Sequence, residues 1–149
     1  MGQKVNPHGL RVGVIKDWDA QWFVDKKDYA ANIKEDYEIR TLLKKKYYQA
    51  AISKINVERA ASKVVITIFT ARPGVLIGTK GAGVEDIKKE ISLLSSNKNV
   101  SINIKEVKKP DLDASLVAQS IAQMLEKRMS FRRAMKQGMQ RVMKAGAVG

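Results

Sequence analysis

Apolar residues return along this chain at two spacings. From Asp28 onward Tyr29, Ile33 and Tyr37, then Ile39, Leu42, Leu43 and Tyr47, recur at three- and four-residue intervals. That is the stripe of an amphipathic helix with a charged opposite face. The period then falls to two. Ile55 and Val57 alternate with Lys54, Asn56 and Glu58, and after Ala60, Ala61 and Ser62 a second run puts Val64, Ile66 and Ile68 on one face. The two runs predict a hairpin. Arg72, Pro73 and Gly74 end it. Pro73 suits the first turn of a short helix over 73–77, where the N–H it lacks would be unpaired anyway. Val84, Ile87, Ile91 and Leu94 predict another helix, with Glu85 and Asp86 in its first turn and a stop at Asn97 to Asn99. Val100, Ile102 and Ile104 against Ser101, Asn103 and Lys105 predict a third strand.

The two ends read differently. Residues 1–24 hold Gly2, Pro7, Gly9 and Gly13 among Lys4, His8, Arg11 and Lys16, and finish in Trp18, Trp22 and Phe23, which predicts a basic, extended arm. After Lys108, Lys109 and Pro110, a helical stripe runs from Leu112 through Leu116, Val117, Ile121, Met124 and Leu125 to Met129, with Asp111 or Asp113 as its cap and a break near Ser130. A last helix then carries Arg132, Arg133, Lys136, Arg141 and Lys144 on a basic face, with Met135, Met139, Val142 and Met143 as core-facing positions.

Charge changes the picture most. The 149 residues include 28 Lys and Arg against 15 Asp and Glu, a formal net charge of +13, an excess that calls for a polyanionic partner. From Glu126 to Gly149 seven cations face Glu126 alone, so the charge there is +6. Such a run is ordinarily a solvated helix face, but here almost no acids are interleaved. Hydrophobic residues make up 44%, enough for a core and more than a basic tail would carry. The chain has no cysteine, which removes disulfides and thiolate chemistry and fits a reducing, cytosolic compartment. No apolar run approaches the roughly 18 residues of a bilayer span, and no targeting signal is legible.

Catalysis finds no constellation. His8 is the only histidine, so a His-based triad or metal cluster has no members. The carboxylate pairs Asp17/Asp19 and Asp111/Asp113 stand where a turn or cap wants them. The stretch Gly74 to Lys80 departs from a Walker loop because Thr79, not Lys, follows Gly78, and the dinucleotide glycine order is absent. No enzyme activity, cofactor, metal or small-molecule substrate is expected.

One stretch stands apart: Ile77-Gly78-Thr79-Lys80-Gly81-Ala82-Gly83 lies between two predicted helices. It reads as a turn, or as a loop whose glycines let a phosphate approach the main chain beside Lys80. The order helix, strand, strand, helix, Gly-x-x-Gly loop, helix, strand resembles the type II KH domain, whose loop clamps the backbone of a few single-stranded nucleotides. The resemblance implies RNA contacts at Gly78, Thr79, Lys80 and Gly81, with Ile77 and Val84 beside a base-receiving groove. Thr79 stands where the family often has a second basic residue.

Three segments, "MGQKVNPHGLRVG", "TARPGVLIGTKG" and "FRRAMKQGMQRVMKAG", together resemble the bacterial-type small-subunit ribosomal protein number three family. The resemblance implies an α+β fold. A basic arm spans 1–24 and a type II KH domain spans 25–107, with three strands packed by helices in the order αββααβ. The helical start of a second α/β domain spans 108–149, and the family's further strands would cover the methionines. It also implies a cytoplasmic place in the ribosome, on the head of the small subunit near the channel through which mRNA enters. Small-subunit rRNA, mRNA and neighbouring ribosomal proteins would be the partners, with no membrane involved. Arg132, Arg133 and Lys136 would face that channel, and Lys4, His8 and Arg11 of the arm would touch RNA. The alternative is a free-standing KH protein in RNA regulation or processing.

Overall fold

The computed structural model describes residues 2–60, 63–95 and 99–148. Its longest helix, α2, runs Lys26–Lys46, beginning two residues before the expected Asp28. Asp28 in its first turn and Lys44, Lys45 and Lys46 in its last complement the helix dipole. Only the second half of its apolar stripe is used as a core face. Ile39 and Leu43 are fully buried, whereas Tyr29, Ile33 and Tyr37 are exposed. In the first half the buried residues are Glu35 and Asp36. An arginine from the sheet reaches them, so this part of α2 docks by charge and not by apolar area.

The hairpin forms as the alternation predicts. Strand β2 (Ile52–Ala60) pairs antiparallel with β3 (Lys63–Thr70), placing Ile55 opposite Ile68 and Val57 opposite Ile66. Residues Ala61 and Ser62 of the connection lie outside the described residues. Helix α3 (Pro73–Ile77) follows with Pro73 in its first turn, then a 3-10 turn over Thr79–Gly81 and helix α4 (Ala82–Leu94). Of the stop expected at 97–99, Asn97 and Lys98 lie outside the described residues, and α4 ends earlier, at Leu94. Strand β4 (Asn99–Glu106) then lies parallel to β3, with Val64, Ile66 and Ile68 opposite Val100, Ile102 and Ile104. A parallel pair needs a long crossover, and α3, the glycine turn and α4 supply it.

The arm departs from expectation. Instead of running extended it holds helix α1 (Pro7–Arg11), capped by the Asn6 side chain, which accepts from His8 N at 2.8 Å and Gly9 N at 3.4 Å. Strand β1 (Ala20–Gln21) then pairs parallel with β2, Ala20 opposite Val57, so the sheet has four described strands in the order β1-β2-β3-β4 where three were expected. Two residues of strand carry too little pattern to be read from sequence. The core joins Ile39 and Leu43 of α2, Leu76 of α3 and Ile87 and Ile91 of α4 to Ile55 and Val57 of β2, Val64, Ile66 and Ile68 of β3 and Val100 of β4.

The last two helices are α5 (Ala114–Glu126) and α6 (Phe131–Lys144). Asp113, one of the two candidate caps, accepts from Ser115 N at 2.9 Å and Leu116 N at 3.2 Å, while Asp111 sits in a 3-10 turn over Pro110–Leu112. Asp113 also accepts from the Ser53 hydroxyl, and Gln119 Nε2 donates to Tyr48 O at 2.9 Å, which ties α5 to the start of β2. Arg128, at φ 60°, ends α5: its N–H bonds to Leu125 O at 2.8 Å and that of Met129 to Met124 O at 3.1 Å. This paired closure is the Schellman cap. It sets the break where it was expected. Helix α6, however, turns small residues toward α5. Ala134 and Gly138 are buried, while Met135, Met139 and Met143, expected to face further strands of the family, are exposed among the described residues.

Candidate nucleic-acid interface

The glycine turn is built by steric necessity. Gly78 (φ 65°) and Gly81 (φ 85°) both occupy positive φ, which L side chains disfavour by about 1–2 kcal/mol per residue. A Cβ on Gly81 would meet nothing within 4 Å, so its requirement is conformational. Gly83 differs: a Cβ there would stand 2.4 Å from Leu76 O and 3.1 Å from Ile77 O. Its bare Cα is what lets the end of α3 rest on the first turn of α4. The main chain from Gly78 to Gly81 is thereby folded into one exposed corner. Among the described residues no side chain caps α4, so its first N–H groups and their partial positive charge face that corner.

Thr79 is exposed there, Val75 and Ile77 are exposed beside it, and Val84 is half-buried. The Lys80 side chain lies outside the described residues. The four expected loop residues are thus gathered into one turn, with apolar side chains next to it.

Helix α6 presents the second set. Arg132, Arg133 and Lys136 are exposed and take part in no ion pair among the described residues; Arg132 Cζ lies 5.8 Å from the centroid of the Phe131 ring. Lys144 is also exposed. Arg141 is exposed too, but it follows Ala134 by seven residues and Gly138 by three, so it stands at the edge of their side of the helix and also lines a cleft with Gly138, Gln123 and Arg72.

The third set lies in the arm, where Lys4, His8 and Arg11 are all exposed. Arg11 Nη1 donates to Pro7 O at 3.2 Å, which holds its guanidinium along α1. Loop, α6 and arm remain three separate sets: no hydrogen bond or ion pair among the described residues joins them.

Sequence reasoning missed what anchors the arm. Asp36 Oδ2 accepts from Trp22 Nε1 at 2.8 Å, and its Oδ1 accepts from Arg59 Nε at 3.1 Å and Nη2 at 2.5 Å. Arg59 Nη1 is 3.4 Å from Glu35 Oε1, and Arg59 Cζ stands 5.8 Å from the Trp22 ring centroid. Closer to β1, Arg40 donates to Ile55 O and to Asp19 O, and Lys54 pairs with Asp19 at 3.1 Å. These contacts join residues 14 to 23 apart in sequence or more, so no local spacing signals them. Among the described residues no group of three or more His, Cys, Asp or Glu could hold a metal ion, and no helix is long and apolar enough to cross a membrane.

A four-stranded sheet with helices packed on it and a Gly-x-x-Gly turn between α3 and α4 defines a KH-type nucleic-acid-binding protein, and the KH domain family model matches residues 38–112. Relatives are more specific. The chain is 56% identical over 149 residues to the small ribosomal subunit protein uS3 of Clostridium botulinum, covering all of this chain and 67% of that protein. It is 58% identical over 150 residues to uS3 of Clostridium tetani, covering 68% of it, and 58% identical over 149 residues to uS3 of Finegoldia magna, covering 61%. The chain belongs to the uS3 family, and spans about two thirds of the length of these relatives.

Proposed function

We propose that this chain is a structural constituent of the small ribosomal subunit that binds its rRNA in the subunit head and, through α6, helps form the channel by which mRNA enters. The supporting observation is the outward side of α6, where Arg132, Arg133 and Lys136 stand exposed, outside any ion pair of the described residues, in a segment whose only acid is Glu126. A helix that spends three long cations on solvent alone gains little, whereas an RNA strand passing it releases counterions at each phosphate neutralised. The contacts position the strand without reading it, which suits a channel that must pass every message.

In this reading the corner from Gly78 to Gly81, with Lys80, holds RNA backbone, and Lys4, His8 and Arg11 place the arm on rRNA beside neighbouring ribosomal proteins. Residues 1–24, 25–107 and 108–149 serve as arm, KH domain and the start of a second domain. The protein works in the ribosome, in the cytoplasm, and needs no cofactor or small-molecule substrate. Membership in the uS3 family supports this over a free-standing KH regulator.

The test is the change of Arg132, Arg133 and Lys136 to alanine. The log-log salt slope of single-stranded RNA binding should become shallower by about 0.7 per contact, roughly 2 in all. Ribosomes carrying the variant should assemble but stall on a stable mRNA hairpin. An unaltered slope with normal hairpin passage refutes the channel role. A variant that fails to co-sediment with small subunits moves these residues to rRNA contacts.

A further inference from the structure

Arg141 is exposed like the other cations of α6, but it lies toward the side of the helix that carries the buried Ala134 and Gly138. Here it opens onto a cleft of about 240 Å³ between the end of the hairpin and helices α5 and α6. Arg72 lines the same cleft from the other side, its main chain held where the N–H donates to Thr70 Oγ1 at 3.1 Å. Neither arginine has an ion-pair partner among the described residues. Asp111 is the one acid among the described lining residues, so the cleft keeps a net positive charge, and Ser120 and Gln123 add uncharged donors.

We propose that this cleft binds one phosphodiester of an RNA backbone between Arg72 and Arg141. Guanidinium forks match phosphate oxygens in a way that a lysine point charge does not. Size points the same way, because sites for whole small molecules run from about 300 to 1,000 Å³ and this cleft lies below them. Its volume suits a phosphate with the edges of its sugars. Gly138 helps to set the shape: a Cβ there would stand 2.9 Å from Ile121 Cδ1, so α6 lies close on α5 and Arg141 is carried to the rim. The site rests on the RNA-binding reading above but not on the channel, since it uses none of the three outward cations.

The probe is a short single-stranded oligouridylate on the full chain. Changing Arg72→Gln with Arg141→Gln should make the salt slope shallower by about 0.7, the value of one phosphate, while Arg72→Lys with Arg141→Lys keeps most of it. Asp111→Asn should tighten binding. In the unaltered protein the Nε–H resonances of Arg72 and Arg141 should move on adding the RNA. A Gln variant with native circular dichroism and an unchanged slope overturns the proposal, and so do arginine resonances that stay still. Should the Gln variant not fold, the resonances and Asp111→Asn decide. A slope lost in the Gln variant but kept in the α6 triple variant, with normal hairpin passage of the latter, supports the cleft and sinks the channel; the reverse sinks the cleft alone.

Discussion

Gly83→Ala is a sharp test of how the glycine corner is built. In an ordinary exposed helix position this change stabilises, by roughly 0.5–1 kcal/mol, because alanine loses less backbone entropy on folding. Here the new Cβ would sit 2.4 Å from Leu76 O, a main-chain atom that cannot swing aside as a side chain can. The contact has to open by about 0.6 Å to reach 3.0 Å, the distance real Cβ atoms essentially never undercut. That moves α3 against α4, and Leu76, Ile87 and Ile91, all fully buried, move with them. Overpacking of this kind costs about 1–3 kcal/mol, so clash outweighs entropy and a net loss near 1.5 kcal/mol is expected. For a chain of this size the loss lowers Tm by roughly 3–6 °C.

Single-stranded RNA affinity should fall as well, since the gap separates the two helices that form the corner. Gly81→Ala is the control: it meets nothing within 4 Å and carries only the strain of φ 85°, about 1 kcal/mol. Thermal melts and RNA titrations of both variants are the assay. A Gly83→Ala protein as stable as its parent, with unchanged affinity, refutes the close-packing account.

Three more predictions follow from particular contacts. Asp36→Asn leaves the Arg59 side chain, 5% exposed, with Glu35 as its one remaining anion, and should cost about 3 kcal/mol in urea denaturation and shift Trp22 fluorescence as the arm loosens. Thr70→Val removes the bond that Thr70 Oγ1 donates to Ala50 O at 2.5 Å and the one it accepts from Arg72 N, and should cost about 1–3 kcal/mol by thermal melting. Lys46 is raised above its ordinary 10.5 chiefly by its hydrogen bond to Glu90, and Tyr47 above 10.0 chiefly by burial. Both folded values are raised, so their contribution to stability is present below the ordinary values and is lost as pH rises through the folded ones. Denaturation midpoints should fall as pH rises above 10.0 for Tyr47 and above 10.5 for Lys46, and less steeply in Glu90→Gln; an identical alkaline decline in both proteins refutes the Lys46 part.

Local pattern was enough for the elements that bury one face. Alternation at Ile55 and Val57 and at Val64, Ile66 and Ile68 marks strands because a pleated chain sends alternate side chains to opposite faces. Pro73 marks the start of α3, and the glycines mark the corner after it, because a missing N–H and a positive φ are properties of single residues. The basic segment of α6 is likewise legible from composition. Distance in sequence hid the rest. Trp22, Asp36 and Arg59 form a clamp only because β1 and β2 bring the arm across α2, so the exposure of Tyr29 and Tyr37 and the burial of Asp36 reverse what the stripe implies. Periodicity says which residues share a side of α6, but the side that meets α5 was decided by shape, where Ala134 and Gly138 could approach Ile121 and a methionine could not. Gly83 shows both: its presence was plain in the sequence, and its necessity depends on a carbonyl seven residues away that only the folded chain places against it.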